Sequence, residues 1–120
     1  MNHQLSRWFS RREFACRCGC GFDSIDAELL QVLNLARVFF ENPIYITSGC
    51  RCPSYNSSIG GASKSMHIWS RAADITVANI NPTDVQKFFL EIYHNKYGIG
   101  CYQTFTHIDT RTNGPTRWEG

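Results

Sequence analysis

Three residues stand out for the chemistry they could do together: His67, Asp74 seven positions later, and His107. Two imidazoles and one carboxylate suit a zinc ion, and three protein ligands leave a fourth position for a water whose pKa the metal lowers to about 7. That is a hydrolase's arrangement. Spacing alone also admits the plainer reading, in which each histidine is a solvated or hydrogen-bonded side chain on a half-polar strand. The polar, glycine-bearing stretch 48–65 runs up to His67, and a loop of that length usually carries function.

The elements that must position these residues follow from periodicity. Ile25, Leu29, Val32, Leu33, Ala36, Phe39 and Phe40 recur at spacings of three and four behind Ser24, a good N-cap, which predicts an amphipathic helix over 25–41 ended by Asn42-Pro43. Ile44 to Thr47 reads as a short strand, and the loop after it has room for one helical turn. In the strand expected at 71–77, Ala73, Ile75 and Val77 share the core face, so Asp74 points away from the core. Asn81-Pro82-Thr83-Asp84 opens a second helix, over 82–95, with Val85, Phe88, Phe89, Ile92 and Tyr93 as its buried stripe. Further strands are expected at 97–102 and 104–111; in the latter His107, Asp109 and Arg111 share a face. Ser10 and Glu13 form a capping box before a loop, and Arg117-Trp118 closes the chain after a turn. The fold class is α+β: a small, mostly antiparallel sheet backed by helices.

Length and charge narrow the alternatives. A chain of 120 residues makes one domain, with 42% hydrophobic and 13% aromatic residues to build a core. A net charge of +2 without a Lys/Arg run argues against a nucleic-acid binder. No stretch has the length of a signal peptide's apolar region or of a membrane span, and the expected state is a monomer.

Four ordered motifs sharpen the functional reading. Ser48-Gly49-Cys50-Arg51-Cys52-Pro53, then Asn56 with Gly60-Gly61-Ala62, then Ser65-Met66-His67 through Ala72-Ala73-Asp74-Ile75, then Gly98-Ile99-Gly100 leading to Phe105-Thr106-His107-Ile108-Asp109-Thr110-Arg111, resemble the M15 family of zinc peptidases. Within it the likeness is to the small M15A-type branch of D-alanyl-D-alanine carboxypeptidases and phage endolysins, which shares the Hedgehog/DD-peptidase fold. The resemblance runs from about Ser6 to Trp118. It implies His67, Asp74 and His107 as zinc ligands, Arg51 and Ser65 as contacts to a substrate peptide, and peptidoglycan stem peptides as the substrate. It also implies action on the cell wall, by a phage lysis or tail-associated protein or by part of an exported bacterial chain.

Two positions depart from the family pattern. Ser70 stands where a glycine is expected; if that backbone takes a positive φ, serine adds strain of about 1 kcal/mol. Thr104 stands where better-known members carry the acidic general base, three residues before the last histidine. Asp109 is the substitute candidate for that catalytic role, with the orientation of His107 or an ion pair to Arg111 as the equally weighted alternative. Tyr102 is a candidate hydrogen-bond donor to a developing oxyanion, or else a packed tyrosine. Loss of the base would leave a zinc-containing cell-wall or protein-binding module. His3 and His94 read as surface residues.

Six cysteines remain. Cys16, Cys18 and Cys20 with Cys50 and Cys52 could form a second, structural zinc site; free thiols and long-range disulfides are the alternatives. A cysteine nucleophile at Cys101, served by His107 and Asp109, is a further alternative.

Overall fold

The computed structural model describes residues 4–120, so His3 lies outside the described residues. The capping box forms as expected, with the Ser10 N–H donating to Glu13 Oε2 at 2.7 Å ahead of a short 3-10 turn, Arg11–Phe14. Helix α1 spans Ala27–Phe40 and is capped by Asp26 rather than Ser24: the Asp26 carboxylate accepts from the N–H groups of Glu28 and Leu29, two donors the helix start leaves bare. Its buried face is Leu29, Val32, Leu33 and Ala36, whereas Phe39, expected in the stripe, remains 61% exposed.

Strand β1 (Ile44–Ser48) leads through the short helix α2 (Pro53–Ser58) to β2 (Ala72–Val77). Helix α3 (Pro82–Ile92) opens on Asn81 and Pro82 as expected but stops three residues short of the expected end. The Arg117 guanidinium explains the stop, because it donates to the carbonyls of Tyr93, Lys96 and Tyr97 and draws the chain out of the helix. Strands β3 (Gly98–Cys101), β4 (Thr106–Asp109) and β5 (Thr116–Glu119) complete the sheet.

The sheet order is β1-β2-β4-β3-β5. Every pairing is antiparallel except β3 with β5, so the chain end after the turn, not expected from sequence to pair, is a fifth strand that makes the sheet mixed. Ala73, Ile75, Ile99 and Ile108 face the helices and join Leu33, Val85 and Phe89 in one core. The opposite face at β2 and β4 bears Asp74, His107 and Asp109, as the alternation predicts. None of the described helices is long and apolar enough to cross a membrane.

Candidate metal centre and cleft

Strand register assembles most of the site. Asp74 on β2 is the direct cross-strand partner of His107 on β4, so their side chains leave the sheet on one face as neighbours. Asp74 Oδ1 lies 3.0 Å from His107 Nδ1 and 3.3 Å from His67 Nε2. His67 comes from no strand. It sits in the tight turn 65–70, and Ser70 closes that turn at φ 62°, the left-handed conformation in which a serine is strained.

Both rings are held from behind. His67 Nδ1 lies 2.6 Å from the Gly49 carbonyl oxygen, which can only accept, so the proton sits on Nδ1 and the Nε2 lone pair faces Asp74. His107 Nε2 donates to Asp109 Oδ2 at 2.7 Å, leaving Nδ1 on the Asp74 side. Backbone carbonyls and carboxylates in this relation to a histidine fix the tautomer and ring direction of metal ligands. His67 Nε2, Asp74 Oδ1 and His107 Nδ1 all fall within 4.8 Å of one another. Ligands about 2.05 Å from one zinc stand about 3.3 Å apart in a tetrahedron, close to the two separations seen here. The donor set and its spacing fit zinc.

Electrostatics supports the same reading. Burial alone would raise the Asp74 carboxyl, but the imidazoles of His107 and His67 packed against it hold it well below the usual carboxylate range. Burial would likewise lower His107, yet Asp109 and Asp74 on either side push it up. An imidazole between two carboxylates is a place where a cation is favoured.

Asp109 is completely buried and saturated. It accepts from His107 and from Arg111 through both Nε (2.8 Å) and Nη2 (2.7 Å), and these bonds outweigh burial to keep its carboxyl well below the usual range. Its neighbour across β3 is Gly98, and Gly100 faces His107. A β-carbon at Gly98 would collide with the Asp109 carboxylate, and one at Gly100 with the Trp118 indole. The Gly-Ile-Gly spacing therefore clears this face for the ion pair and the indole.

A cleft of about 470 Å³ opens over the centre, lined among others by Arg51, Lys64, Ser65, Tyr102, Arg111 and Trp118. The Arg51 guanidinium is fixed by Ser48 Oγ (3.2 Å), Asn56 Oδ1 (3.1 Å) and Asp74 Oδ2 (3.5 Å). Ser65 Oγ accepts from the His67 N–H at 3.2 Å. Tyr102 Oη accepts from Trp118 Nε1 at 2.9 Å, which leaves the phenolic proton to donate elsewhere. Thr104 is exposed and outside this lining, and Asp74 is the one carboxylate among the described lining residues.

Sequence reasoning missed two contributors. Trp118 packs against the His107 ring (centroids 4.9 Å), carries the Arg111 guanidinium over its face at 5.3 Å and anchors Tyr102. Gln86, on α3, donates to the carbonyls of Tyr102 and Phe105 and fixes the turn that presents them. A lone tryptophan in a four-residue tail carries no periodic signal; the paired glycines of β3 were the available clue.

The cysteine expectations change. Cys101 lies on the core face of β3, away from His107, and burial pushes its thiol up, so it does not form the cysteine–histidine pair considered from sequence. Cys50 also leaves the expected group: its thiol donates to the carbonyls of Phe14 and Phe22. All six cysteines are free of disulfides.

Two imidazoles and a carboxylate converging at the base of an open cleft in an α+β domain form a group that could hold a catalytic metal ion. The family model described as Peptidase M15 matches residues 7–109, and the chain belongs to that family. M15 peptidases use zinc, in agreement with the donor set. No curated protein matches the chain.

Proposed function

We propose that the chain is a zinc peptidase acting on the stem peptides of bacterial peptidoglycan, as a D-Ala-D-Ala carboxypeptidase or a murein endopeptidase. The observation that carries the reading is the pair of histidines held from behind by Gly49 and Asp109 so that His67 Nε2, Asp74 Oδ1 and His107 Nδ1 converge below the cleft. Zinc held by these three residues supplies a Lewis acid for the scissile carbonyl and an activated water. Arg51 and Lys64 line the cleft as cations for a substrate carboxylate, Arg51 with the planar fork that binds one bidentately. Ser65 lines the approach to His67, and the free Tyr102 proton is available to a carbonyl oxygen as it gains negative charge.

Asp109 serves in this reading as a positioning residue for His107 rather than as the base, since both its oxygens are engaged and it is sealed from the cleft. One observation favours a second reading, a zinc-containing binding module: no carboxylate besides Asp74 lines the cleft among the described residues, and Thr104 occupies the family's acidic position. The two separate on purified muropeptides followed by mass spectrometry. A peptidase releases D-alanine or a new amine, whereas a binder raises Tm without product.

A further inference from the structure

Four thiols outside the cleft are gathered where the peptidase reading has no use for them. Cys16 Sγ lies 3.4 Å from Cys18 Sγ and 3.8 Å from Cys52 Sγ, and Cys18 Sγ lies 3.7 Å from Cys52 Sγ. Cys20 completes the group, with all four sulfurs within 4.8 Å of one another. Sulfurs placed about 2.3 Å from one zinc stand about 3.8 Å apart in a tetrahedron, the spacing seen here.

The backbone is organised for this convergence. Left-handed turns at Gly19 (φ 81°) and Gly21 (φ 91°) fold the 16–22 loop tightly, and the Cys16 N–H donates to the Phe22 carbonyl at 2.7 Å to close it. Cys52 arrives from the start of α2, and its N–H donates to Cys16 Sγ at 3.4 Å, a bond that favours the thiolate. Cys50, two residues earlier, is committed to the Phe14 and Phe22 carbonyls and braces the same loop from the other side.

We propose that Cys16, Cys18, Cys20 and Cys52 bind one structural zinc ion as a closed tetrathiolate site, separate from the His67–Asp74–His107 centre. Four soft ligands with no open position suit a structural zinc. Binding displaces the thiol protons to solvent, and the metal remains divalent throughout. The ion fastens the 16–22 loop to the segment that carries Arg51, whose own N–H donates to the His67 carbonyl at 3.0 Å. This inference stands on the thiols alone and does not need the peptidase reading.

The test is cobalt substitution of the full chain purified under reducing conditions. A His67→Ala/His107→Ala double variant is expected to keep one cobalt per chain, with the intense ultraviolet thiolate-to-cobalt charge-transfer band. Cys16→Ser/Cys52→Ser is expected to lose that band, and Cys101→Ser to retain it. Should the cysteine variant fail to fold, the zinc-loaded native chain decides: a mercurial titrating the thiols is expected to release one zinc as four thiols react, read with a colorimetric chelator. Cobalt-loaded native protein without the charge-transfer band would overturn the proposal, as would thiol titration that releases no zinc. Either result leaves the histidine centre untouched, because that centre contributes no thiolate band.

Discussion

The two groups of ligating side chains rest on opposite kinds of support. His107 and Asp74 are cross-strand partners in the middle of a five-stranded sheet, with Asp109 behind His107 and the Gly49 carbonyl behind His67 already in place. The cysteines hang from a loop and a helix start, and their main contacts are with one another. Strand register can hold a site ready before any metal arrives, because the ladder fixes both backbones. A loop such as 16–22 has no ladder, so whatever holds its thiols together also supplies much of its order. The first group is thus suited to chemistry and the second to stability, and the contrast can be broken by mutation.

The largest expected effect is at the histidine–aspartate centre. His67→Ala, Asp74→Ala or His107→Ala should abolish hydrolysis of a muropeptide, assayed by mass spectrometry, while circular dichroism shows a folded chain. The contrast predicts the reverse at the loop: Cys52→Ser should lower stability by about 4 kcal/mol in chemical denaturation while leaving measurable hydrolysis. Equal losses of activity and stability at both groups would erase the distinction.

Asp109→Asn sharpens the first half. A positioning role predicts metal affinity lower by about 10- to 100-fold in a chelator competition, with kcat restored by excess zinc; a base would lower kcat and leave affinity alone. The pH dependence has a definite sign. The Asp109 carboxyl is held below its ordinary value, so its ion pair contributes stability that is fully present above the unfolded-state pKa of about 3.9 and is lost as pH falls toward the folded value. Acid titration of the chelator-treated protein should show that loss, and Asp109→Asn should flatten it.

Smaller effects are expected at the cleft wall and the turn. Arg51→Lys keeps the charge but loses the fork held by Ser48, Asn56 and Asp74, and should raise KM by about 10-fold more than it lowers kcat. Ser70→Gly relieves the left-handed strain at φ 62° and should stabilise the fold by about 0.5 kcal/mol in urea unfolding.

How much of this was legible in the sequence depended on whether a residue acted through local pattern or through distant contact. Alternation in 71–77 and 104–111 put Asp74, His107 and Asp109 on the site face, and the Ser70 departure flagged the positive φ that the turn adopts. Both are local. The fifth strand escaped notice because Thr116 to Glu119 pairs in parallel with β3, and no short-range signal announces a parallel partner. Trp118 and Gln86 went unseen for the same reason, each acting on residues about 16 positions away. The shift of the α1 cap from Ser24 to Asp26 was a choice between two acceptable capping residues, settled by contacts to Arg71 and Thr110 that bring Asp26 against the sheet.

The central claim is that His67, Asp74 and His107 hold a zinc used for peptide hydrolysis. Its most direct test is a purified stem peptide incubated with the native chain, with the chain stripped by chelator, and with the stripped chain given back zinc. The account predicts cleavage, its loss, and its return, with no return in His107→Ala. Cleavage that survives complete removal of metal, or zinc bound by all three residues with no bond cut in any stem peptide, would contradict it.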